Sequence, residues 1–98
     1  MMRITRVHER DDRTTLRVEG SIVAEWADLL ERECSGLLHA AVSVTLDIAG
    51  VDFVDGHGVE TLRQLGRDGV EIRCPCGAVA NVLEAEGVRI ALMPGGGL

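Results

Sequence analysis

Apolar residues in this chain recur with period two in some stretches and with three-and-four spacing in others, and the switches between the two mark out its elements. "TTLRVEG" sets Leu16 and Val18 against Thr15, Arg17 and Glu19, as a half-buried strand requires. "RITRVHE" alternates more weakly before it, and the polar turn Arg10-Asp11-Asp12-Arg13 joins the two as a hairpin. From Val23 the spacing lengthens: Val23, Ala27, Leu30, Cys34, Leu37 and Ala41 form a stripe, with Glu25, Asp28, Glu31, Arg32 and Glu33 opposite. That predicts an amphipathic helix of about four turns, with Ser21 as its expected cap. "VSVTLDIAG" returns to alternation through Val42, Val44, Leu46 and Ile48, and Val51, Phe53 and Val54 extend it in a changed register. Asp55 is expected to cap a second helix carrying Val59, Leu62 and Leu65 and ending near Gly66 or Gly69. "VEIRC" points Val70, Ile72 and Cys74 inward. Ala78 to Glu86 reads as a third helix with Val79, Val82 and Leu83 apolar, stopped by Gly87. "VRIAL" is the expected final strand, and "MPGGGL" a loose tail over residues 93–98.

The order β-β-α-β-α-β-α-β predicts an α/β fold. One mixed β-sheet carries helices packed on it and is parallel wherever a helix crosses over. The 98 residues make a single domain over 1–98. Phe53 and Trp26 are the only aromatic rings besides the histidines, so the core is expected to consist of Val, Leu, Ile and Ala, and no platform for stacking bases exists. A net charge of −6 disfavours a phosphate backbone, so no nucleic-acid partner is expected. No apolar run reaches the roughly 20 residues of a membrane span, and "MMRITRVHERDD" lacks the apolar segment of a signal peptide. The expectation is a cytoplasmic protein without membrane insertion, in agreement with an odd number of cysteines, Cys34, Cys74 and Cys76.

Candidate chemistry concentrates in "VDFVDGHGVETL", residues 51–62. Asp55, His57 and Glu60 fall within six residues, and His57 and Glu60 share a helix face. They could offer a metal two or three ligands, but the paired histidines of a zincin helix are missing, and the alternative reading is a capping Asp55 with a solvated Glu60. Cys74-Pro75-Cys76 has neither redox nor zinc-knuckle spacing, and no cysteine has a visible activator. Gly95-Gly96-Gly97 lacks the Lys and the following helix of a phosphate loop. No catalytic residue, metal or cofactor is therefore assigned. What remains is a strand running into a helix whose first turn presents free N–H groups beside Gly56 and Gly58, an exposed recognition point.

At this corner the sequence resembles the STAS domain of bacterial anti-sigma factor antagonists. The resemblance is carried by Leu46-Asp47-Ile48, Val51-Asp52-Phe53-Val54-Asp55, Gly58, Val59, Leu62 and Leu65, with a weaker match in "LRVEGSIV". The family pattern is an apolar strand ending in Asp, then apolar-Asp-Ser-Ser-Gly and an apolar helix. In phosphoregulated members the serine before the glycine accepts phosphate from a serine kinase that is also the anti-sigma factor. Here that phosphoacceptor-equivalent position is His57 and the preceding one Gly56. The resemblance implies a non-catalytic module for signal transduction and transcription regulation. Its partner-binding residues would be Asp52, Asp55, Gly56, His57, Gly58 and Glu60, and its partner an anti-sigma factor or serine kinase. An alternative role in the same fold is an accessory subunit that binds the ATPase of an ABC lipid transporter.

Overall fold

A computed structural model describes residues 1–93. Strand β1 (Met2–Arg10) turns through Asp11 and Asp12 into β2 (Arg13–Ile22), an antiparallel hairpin with Arg10 opposite Arg13. Helix α1 (Ala24–His39), strand β3 (Ser43–Val54), helix α2 (Gly56–Arg67), strand β4 (Glu71–Pro75), helix α3 (Ala78–Ala85) and strand β5 (Ala91–Met93) follow. The sheet runs β1-β2-β3-β4-β5, parallel from β2 onward. This is the predicted fold, with the final strand shifted. Val88 closes α3 as a buried residue, and pairing begins only at Ala91. Of the predicted tail, Met93 is the last residue of β5, and 94–98 lie outside the described residues.

Each parallel crossover steps one strand further in the same direction, and right-handed crossovers of that kind put every helix on one face. Helix α1 packs on β2 and β3, while α2 and α3 both pack on β3 and β4. Between helices and sheet lie Leu16, Val18, Leu46, Ile48 and Ile72 from the strands and Leu30, Leu62, Leu65 and Leu83 from the helices, all essentially inaccessible. Among the described residues no helix covers the other face, which explains why parallel strands here alternate instead of being apolar throughout.

All three helices end in the same way. The residue after the C-cap is left-handed, its N–H and that of the next residue turn back onto the last helical carbonyls, and a valine follows. Gly69 and Gly87 take that position in α2 and α3 with φ of +101° and +81°, and Val70 and Val88 donate to the Leu65 and Leu83 carbonyls at 3.0 and 2.9 Å. In α1 the position is Ala41, with φ of +62°, and Val42 donates to the Leu37 carbonyl at 3.0 Å. Each closing valine leads the chain back toward the next strand, so the helix stop also sets where that strand begins.

Candidate functional site

Strand β3 reaches the corner out of simple alternation. Its pairing with β2 slips between Arg17 and Glu19 and again between Gly20 and Ser21. Ile48 and Val51 are both buried, three residues apart, with Ala49 and Gly50 exposed between them. The slip turns Phe53 outward, 57% exposed, at the end of the strand. Phe53 and Val54 then form a wall of an apolar hollow of about 310 Å³ whose other wall is Ala78, Val79 and Val82 of α3, with Asp52 at its edge. Val82 is itself 49% exposed. This hollow adjoins the corner and was not foreseen, because it joins β3 to α3 and periodicity along one element does not show what another element sets against it.

Asp55 does more than cap α2. Its Oδ1 accepts the Gly58 N–H at 2.7 Å, and its Oδ2 accepts the Ala24 N–H at 3.2 Å. One carboxylate thus satisfies free amides at the starts of two helices 31 residues apart in sequence. The expected Ser21 cap is replaced by this contact. Val23 occupies the N-cap position of α1 without a side-chain bond, and the Ser21 hydroxyl instead donates to Asp52 Oδ1 at 3.3 Å.

Gly58 differs from the expectation of an open approach for a partner. It is buried, and a Cβ there would collide with the Ile22 carbonyl and lie 2.7 Å from Val54 Cγ1. Glycine is needed because β2 itself crosses at this point, so a bulky Gly58 variant tests packing before it tests binding. Gly56 is exposed with open space around it.

His57 stands out from the first turn of α2, with half of its side chain accessible, and its Nε2 lies 2.7 Å from Asp28 Oδ1 of α1. That hydrogen bond raises the imidazole pKa above its ordinary value, against opposing desolvation, and the Asp28 and Asp55 charges add to the rise. Glu60 turns along the helix to Arg63, whose guanidinium also donates to the Glu86 carbonyl. Asp55, His57 and Glu60 are thereby engaged by three different partners and converge on no common point. Among the described residues no group of three His, Cys, Asp or Glu side chains is placed to hold a metal ion. Asp28 was missed because the pairing joins two helices, and nothing local marks one acid on a charged helix face.

The cysteines lie away from this corner's chemistry. Burial, reinforced by Glu33 and Glu31, pushes the Cys34 thiol up to about 12, and burial with Glu84 raises that of Cys74. Cys76 is exposed.

No family model and no curated protein matches this sequence. Solved structures do match its fold. The anti-sigma factor antagonist SpoIIAA in its unphosphorylated form superposes with a TM-score of 0.77 over 95% of this chain and 90% of its own, at 14% identity. An anti-sigma factor antagonist from Mycobacterium paratuberculosis gives 0.75 over 89% and 79%, at 16% identity. A shorter match, at TM-score 0.53 and 27% identity, places 74% of this chain on 19% of the protein Mglu. The fold is therefore the STAS fold of the anti-sigma factor antagonists. Among the described residues no helix is long and apolar enough to cross a membrane.

Proposed function

We propose that this chain is a non-catalytic, cytoplasmic regulatory module that docks an anti-sigma factor or a related serine-kinase partner through the β3–α2 corner. The observation that carries the reading is Phe53. One of two large aromatic rings in the chain is spent on the surface, against Val79 and Val82 and beside the exposed start of α2. An exposed aromatic anchor over an apolar hollow, with Asp52 at its edge, has the usual composition of a protein-binding hot spot. The fold likeness to anti-sigma factor antagonists supports the class of partner. His57 stands where the resemblance would put a phosphoacceptor serine, so we read the module as binding-competent without a serine switch.

Affinity capture from the native cell, with wild type and Phe53→Asp side by side, tests this. Because Phe53 is exposed, the substitution is expected to shift stability by no more than about 0.5 kcal/mol, while capture of a kinase-type partner is lost. Equal capture by both proteins places the contact elsewhere. Recovery of a transporter ATPase in place of a kinase selects the accessory-subunit role.

A further inference from the structure

We propose that the bare face of the sheet holds a second site, independent of the corner, that binds the phosphate group of a small soluble phosphomonoester between Arg10 and Arg13. Register places these residues directly opposite each other on β1 and β2, and like charges so placed repel. Two other arginines of this face are matched, Arg17 lying 3.8 Å from Asp47 and Arg73 3.4 Å from Glu71. Neither Arg10 nor Arg13 has an ion-pair partner among the described residues.

The surroundings are shaped for a small anion. Arg13 and Thr15 line two adjoining hollows. One, of about 580 Å³, is shared with His8, Arg10 and Asp12; the other, of about 370 Å³, has the hydroxyl residues Ser43 and Thr45 in its wall. The hairpin turn is pinned to the sheet by the Ser43 N–H, which donates to the Asp12 carbonyl at 2.8 Å, so Arg13, in register with Ser43, is held beside these hydroxyls and Arg10 beside Thr15. Asp12 in one hollow and Glu71 in the other set an acidic limit on the site. Paired guanidiniums meet a phosphate's oxygens with charge-assisted, bidentate geometry, and hydroxyls donate to the remaining oxygen. An anionic bilayer is a poorer occupant, since such surfaces are held by clusters of about four to eight basic residues, and the hollow holds two arginines, Arg10 and Arg13.

Titration of 15N-labelled full-length protein with glycerol 2-phosphate at constant ionic strength tests the site. Saturable shifts are expected at the amides of Arg10 to Thr15 and Ser43 to Thr45, with sodium chloride producing none. Arg10→Ala and Arg13→Ala are each expected to weaken binding about tenfold, and Arg32→Ala, exposed on helix α1, to leave it unchanged. The substituted arginines are exposed, and the dispersion of the amide spectrum verifies that each variant is folded. Shifts equally produced by chloride, or unaltered affinity in both variants, overturn the proposal. So does sedimentation with phosphatidic acid vesicles in the absence of any response to the free ester.

Discussion

His57 and Asp28 form the contact at this site whose strength depends on pH, and its sign follows from the direction of the shift. The Asp28 hydrogen bond favours the imidazolium, so the folded-state pKa lies above the ordinary 6.5. A raised pKa contributes stability that is fully present below the unfolded value and is lost as pH rises through the folded one. The link between α1 and the start of α2 is therefore expected to be firm in mild acid and to loosen through and above neutrality. Observing the His57 ring protons across pH 5 to 9 checks this, with Asp28→Asn as comparison. The substitution should bring the His57 midpoint down. An unmoved His57 midpoint in Asp28→Asn would remove Asp28 as the cause. The identity of His57 as a titrating group at the corner was legible from sequence, but the direction was not. Asp55 and the helix start were the visible neighbours and act in opposite senses, and the deciding partner came from another helix.

Helix ends supply the next scale, because here they fix both the corner and the spacing of the strands. Asp55 joins two helix starts, so Asp55→Ala is expected to lose two caps together, about 1–3 kcal/mol of stability. A cost no larger than that of an ordinary exposed substitution, read from urea unfolding, would show that the Ala24 and Gly58 amides find water equally well. Asp55→Asn retains one side-chain oxygen and should fall between the two. Ala41 makes the opposite prediction. It sits at φ of +62° in a turn that α2 and α3 close with glycine. Ala41→Gly relieves an unfavourable left-handed alanine but frees the unfolded chain, and a net gain of up to about 1 kcal/mol is expected. Thermal unfolding of the variant measures it, and a loss of stability would contradict the strain argument. The helix stops at Gly69 and Gly87 were readable because glycine announces the left-handed turn. The stop after α1 was not, since alanine carries no such signal, and Ala41 read as part of the stripe.

Across the whole molecule, topology was legible where period and punctuation agreed, as in "TTLRVEG" and "VEIRC", and it failed to locate surface function where apolarity was the guide. The direction in which Phe53 faces was not legible because periodicity cannot register a slip in strand pairing, and that slip decides it. The same limit hid the role of Gly58, whose close neighbour is the Ile22 carbonyl of a distant strand. The proposed regulation can be examined at this scale by restoring a serine at the corner. Position 57 is exposed at the first turn of α2, so serine fits without repacking and replaces the Asp28 contact with a free hydroxyl. Phosphorylation would place about −2 charge beside Asp28 and Asp55 at the corner where the partner is proposed to dock. With the partner kinase and ATP, His57→Ser is expected to take up phosphate and release the partner, whereas wild type remains bound without serine phosphate. Stoichiometric phosphate on wild-type Ser21, Ser35 or Ser43 accompanied by release of the partner would show a serine switch elsewhere and overturn the reading of a module freed from that control.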